Sequence, residues 1–135
     1  MPYNINQMNR SKSIDRILKL EEAGQFLLAI FLFSLLDYSW WVFPACLLLP
    51  DLSMIGYLGG AKTGARLYNI FHNKFVAILV LITGYWLSIS WLALAGIILL
   101  GHSAMDRVLG YGLKYDEGFE HTHLGRIGKK GKMND

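Results

Sequence analysis

Apolar residues run along this chain in long blocks separated by short polar breaks, without the regular spacing of a water-facing amphipathic helix. Four blocks, 18–36, 38–58, 66–85 and 87–109, approach the length that crosses a hydrocarbon core. The links between them are "DYS", "GGAKTG" and a turn near "GYWLS". Links this short make successive helices antiparallel neighbours, so the pattern predicts an all-α, up-down bundle of four transmembrane helices. Within the second block, Pro50 removes a helical hydrogen bond, which predicts a kink or break at Pro50–Asp51.

The polar flanks complete the organisation. Residues 1–17 read as a disordered or surface-lying segment, and 18–110 as the membrane domain. Residues 111–135 form a glycine- and aromatic-rich tail with a basic end suited to anionic lipid headgroups. A cleavable signal peptide is not expected, because the first apolar run starts late and carries Glu21 and Glu22 at its entry.

Composition agrees with a membrane location: 53% of the 135 residues are hydrophobic and 13% aromatic, too apolar for an ordinary soluble domain. The single cysteine, Cys46, excludes an intramolecular disulfide. No phosphate-binding glycine loop, HExxH, nucleophile elbow or cysteine-based zinc spacing is present, and no nucleic-acid partner is expected.

Charge sets an orientation. All 13 basic residues lie before or at the start of the first block, around the "GGAKTG" link, or from Arg107 onward. The positive-inside rule then puts both termini in the cytoplasm, as expected for a bacterial inner (plasma) membrane protein. Trp40, Trp41, Tyr85, Trp86 and Trp91 fall at the opposite interface, where aromatic belts form.

In this frame the polar residues inside the blocks share a depth. Counted from the outer ends, Asp51, His72, His102 and Asp106 lie at about 15–26 Å, and Glu21 and Glu22 at about 20–23 Å. His102 and Asp106 are four residues apart and stack on one helix face. Ionisable groups at such depth usually face the bundle interior and pair or serve a pathway. Two imidazoles and two carboxylates make a mixed donor set for Zn²⁺, Mn²⁺ or Fe²⁺. Asn69, one turn before His72, and His121 and His123 in the tail are additional candidates. Glu21 is the candidate general base, or a hydrogen-bond partner to an imidazole.

Plainer roles stand beside these. His102–Asp106 reads equally as a neutralised helical pair, Asp51 as a cap for a helix restarting at Leu52, and His72 and Asn69 as interhelical glue. Glu21 and Glu22 fit a solvated helix start, and His121 and His123 fit surface positions. Equal depth leaves helix rotation open.

The strings "PDLSMIGYL", "YNIFH", "GHSAMDRVLGYGLKY" and "GFEHTHLGRIG" resemble the small integral-membrane family catalogued as domain of unknown function 4260. The order Pro50–Asp51, His72, His102…Asp106 is also similar, more loosely, to LexA-regulated membrane-bound metal-dependent hydrolases. That family has a further Asp where this chain has Ser53, and a Thr-His-Ser stretch this chain lacks. The looser resemblance implies a metal held by Asp51, His72, His102 and Asp106. The resulting expectation is a metal-dependent hydrolase acting on an amphiphilic, lipid-like substrate at the cytoplasmic leaflet. The alternatives are a non-enzymatic oligomeric carrier or channel with a protonatable cluster, or a structural bundle.

Overall fold

The computed structural model describes residues 12–113, 121, 122 and 124–126. Helix α1 (Lys12–Ser34) leads through a loop to α2 (Val42–Leu47), which passes at Leu48 into an 11-residue 3-10 helix, Leu49–Gly59. Helices α3 (Ala61–Phe71), α4 (Lys74–Trp86) and α5 (Ser90–Leu109) follow. A two-residue antiparallel pair, β1 (His121–Thr122) with β2 (Gly125–Arg126), sets His121 opposite Arg126.

Helix α5 is the centre of the fold, packing chiefly on α4 and α1 and touching α2 and the 3-10 helix. The core joins Ala29 and Phe33 of α1, Phe43 of α2, Ala77 and Leu81 of α4, and Ile97, Ile98 and Leu100 of α5. Helices α4 and α5 approach backbone to backbone: a Cβ on Gly84 would collide with Ala93, and one on Gly96 with Leu81. The two turns at one end of the bundle are tied together by Tyr85 Oη donating to the Leu32 carbonyl (3.4 Å) and Ser90 Oγ donating to Tyr38 Oη (3.3 Å). Trp40, Trp41, Trp86 and Trp91 cluster around these turns and are all exposed.

The second apolar block breaks as Pro50 predicts, and the break reshapes everything after it. The α-helix stops at Leu47, and Asp51 N–H bonds back to the Leu48 carbonyl (3.1 Å) in 3-10 fashion. A 3-10 helix rises about 2.0 Å per residue, against about 1.5 Å in an α-helix. The 18 residues of Val42–Gly59 therefore have a contour of about 30 Å, the thickness of a hydrocarbon core.

Other boundaries differ from the sequence expectation. Helix α1 begins at Lys12, inside the segment read as disordered, with Asp15 favourably placed in its first turn. Helix α3 starts at Ala61, so most of the "GGAKTG" link is helical and only Gly60 (φ 107°) makes the corner. The third block is not one helix: α3 and α4 meet at a 44° bend. There Asn73 caps α4, its Oδ1 accepting from Phe75 N–H (2.8 Å) and Val76 N–H (3.4 Å).

By length and composition, Val42–Gly59 and Ser90–Leu109 can cross a membrane, and the bent α3–α4 pair makes a third span if counted as one. Every 18-residue window of α1 contains Lys19, Glu21 and Glu22, which keeps that helix outside the group. Two to three spans, against the four expected, are compatible with a membrane protein. So is the number of large apolar side chains left exposed, among them Leu27, Phe31, Leu52, Leu58, Phe75 and Ile82.

Candidate metal centre

Three breaks or faces in the fold deliver four side chains to one point. Asp51 comes from the first turn of the 3-10 helix, His72 from the bend between α3 and α4, and His102 and Asp106 from one face of α5. One donor atom from each lies within 4.8 Å of the others. Depth in the sequence did not fix helix rotation; the fold supplies it, and the four converge.

The two imidazoles are held from behind by backbone carbonyls. His72 Nδ1 lies 2.8 Å from the Tyr68 carbonyl, and His102 Nδ1 lies 2.7 Å from the Leu47 carbonyl. A carbonyl only accepts, so both Nδ1 atoms carry the proton and both Nε2 lone pairs face inward. The Leu47 carbonyl is free for this because of the 3-10 switch: its α-helical partner would be Asp51 N–H, which is committed to Leu48. At the bend, the His72 carbonyl likewise lacks a helical partner, since Val76 N–H goes to Asn73 Oδ1. Arg107 Nη2 donates to it at 3.4 Å, and Arg107 Nη1 donates to the Tyr111 carbonyl at 2.9 Å.

In front, His72 Nε2 and His102 Nε2 are 3.0 Å apart. Asp51 Oδ1 is 3.3 Å from His72 Nε2 and 3.1 Å from His102 Nε2. Asp106 Oδ2 is 3.4 Å from the first and 3.3 Å from the second. Four donors arranged tetrahedrally at about 2.0–2.1 Å from a centre are about 3.3–3.4 Å from one another. The five edges that include an imidazole nitrogen lie close to this, and all four donors fall within 4.8 Å. Both imidazoles are fully buried and Asp106 is 7% exposed, whereas the Asp51 side chain is 37% exposed. The cluster can hold a metal ion, and it opens on the Asp51 side.

Tyr68 is a member that the sequence reading missed. It is buried, its ring stacks on His72 (centroids 3.7 Å apart, 8° between planes), and its hydroxyl donates to Asp106 Oδ2 at 3.2 Å. It precedes His72 by four residues in "LYNIFH", and that spacing was its signal. Asn69 is half-buried on α3. Glu21 is exposed on α1 and outside the four-residue group; it is Glu22 that turns inward, to an ion pair with Lys74 at the start of α4. His121 opens β1, and His123 lies outside the described residues.

No curated protein and no solved structure matches this chain. A family model described as a domain of unknown function, DUF4260, matches residues 15–127, which takes in all four donor residues and Tyr68, and the chain belongs to that family.

Proposed function

We propose that the protein is a membrane metalloprotein. In this reading Asp51, His72, His102 and Asp106 hold a divalent cation and use it to hydrolyse an amphiphilic substrate at the cytoplasmic leaflet. One observation carries the reading: two buried Nε2 lone pairs face each other at 3.0 Å, with both Nδ1 protons already given to carbonyls. Two lone pairs and two carboxylate oxygens at this spacing repel unless a cation or a shared proton lies between them. Nitrogen with oxygen donors suits Zn²⁺, Mn²⁺ or Fe²⁺. A metal bound here would act as a Lewis acid and lower the pKa of a coordinated water. Asp51, the exposed ligand, marks the side from which water and substrate approach. The candidate general base, Glu21, is an exposed carboxylate on α1 and remains part of this proposal.

The test is elemental mass spectrometry on protein purified without a histidine tag. Near-stoichiometric metal that disappears in His102→Ala and Asp106→Ala supports the site, and turnover of lipid phosphates and esters is then screened. Protein that stays metal-free after incubation with Zn²⁺ and Mn²⁺ refutes it.

A second reading rests on the same 3.0 Å separation, which is also the length of an N–H···N hydrogen bond. With one extra proton the two imidazoles form a relay, and the protein is an oligomeric carrier or channel for protons or ions. That reading gives flux across liposomes without stoichiometric metal.

A further inference from the structure

The helix face of α5 that carries His102 and Asp106 continues toward the tryptophan end as Ile98, Ala95, Leu94 and Trp91, at steps of three or four residues. These four residues line an apolar groove of about 300 Å³. Its opposite wall includes Pro50 and Phe71, each the residue immediately before a member of the cluster, Asp51 and His72. Groove and cluster are therefore consecutive along all three elements that build the site. From His102 to Trp91 the helix rises about 16 Å, close to the hydrocarbon depth of one leaflet, about 15 Å. Among the described residues no charged side chain lines the groove.

A lining that is apolar throughout and ends at two buried imidazoles and two carboxylates matches a ligand of the same polarity profile. We infer that the groove holds the hydrocarbon tail of a single-chain amphiphile, with its anionic, metal-seeking head at the cluster. This inference rests on the metal-binding reading and names its substrate class: an ester or phosphoester carrying one long chain. Recognition divides between the two ends. Packing of the tail along the groove orients the molecule, and the cluster fixes where the head stops.

Cys46 lines the groove and is the single cysteine of the chain, which makes it a built-in reporter. The experiment uses the full chain in amphipol and follows alkylation of Cys46 by N-ethylmaleimide, with hexadecylphosphonate as the non-hydrolysable probe. The expected result is saturable slowing, about tenfold when the probe is at about ten times its Kd. Ethylphosphonate is without effect, and stripping the metal weakens the protection. Metal content is measured on the same samples. Stoichiometric metal with no protection overturns the tail groove and leaves the metal site standing, whereas metal-free protein overturns the reading beneath it. Equal protection by hexadecanol after metal removal means that bilayer lipid fills the groove without a head at the cluster, and overturns the inference. Slowing that follows protein concentration and not the probe means that a second copy covers the groove, and does the same. Ala95→Trp fills the groove and is expected to abolish the hexadecylphosphonate adduct in native mass spectra while bound metal is retained. If that variant does not fold, the wild-type alkylation series decides alone.

Discussion

Tyr68 lies flat against His72, with 3.7 Å between ring centroids, and reaches past it to Asp106 with its hydroxyl. One residue thus fixes the plane of an imidazole from α3 and the rotamer of a carboxylate from α5. Outer partners of this kind typically contribute about 10–100-fold to metal affinity. Tyr68→Phe keeps the stacking and removes the hydroxyl, so a loss toward the lower end of that range is expected, with the fold intact. Tyr68→Ala removes both and costs more. Competition with a chromophoric chelator measures the two directly. Equal affinity in Tyr68→Phe and wild type would remove the hydroxyl from the site.

Pro50 acts on the cluster through a carbonyl it never touches. With Pro50→Ala the α2 winding can continue, and Asp51 N–H can return to the Leu47 carbonyl that now anchors His102 Nδ1. The imidazole then loses its fixed tautomer. Metal affinity should fall by about 10–100-fold, while the chain stays folded in thermal unfolding. Leu52→Ala, on the exposed side of the same 3-10 helix, should leave affinity unchanged.

A cation bound only by the folded state stabilises it by mass action, about 2.7 kcal/mol at a hundred times Kd. Chelation should therefore lower the unfolding temperature of the wild type, and added metal should restore it. His72→Ala should show one unfolding temperature with or without chelator. A wild-type protein indifferent to chelator and metal would count against an occupied site.

The close approach of α4 and α5 depends on absent side chains. Gly96→Leu places a side chain against the Leu81 backbone, and overpacking of this kind costs about 1–3 kcal/mol or more. Gly24 on α1 has nothing within 4 Å of its Cβ position. Gly24→Ala should be neutral or stabilising by about 0.5–1 kcal/mol, because a helical glycine carries an entropic penalty. Paired thermal melts in one detergent test both.

Much of this architecture can be read from the chain. The apolar blocks locate the helical regions, although the second and third each divide in two, and Pro50 marks the break in the second. The four cluster residues do converge, as their similar count from the block ends suggests. The bend after His72 was not foreseen, since no proline or glycine marks it; its signal is Asn73, a good helix cap inside an apolar run. The 3-10 helix also left a trace. Leu49, Leu52, Ile55 and Leu58 recur every third residue and are all exposed, as a three-fold helix requires. Helices α1 and α3 start at Lys12 and Ala61, ahead of the blocks at 18 and 66, because polar residues that form a first helical turn resemble a loop. Depth separates Glu21 from Glu22 poorly, and only packing shows that Glu22 faces Lys74.

The order of the ligands along the chain has a consequence for biosynthesis. Asp51 and His72 leave the ribosome first, and neither has a nitrogen–oxygen cage until α5 delivers His102 and Asp106. A cation captured by the full set would link residues 51 and 106 directly, where the two imidazoles otherwise stand between them. Of the described helices α5 comes last in the chain, so it would close the site, and a bound metal would act as a clasp across the fold.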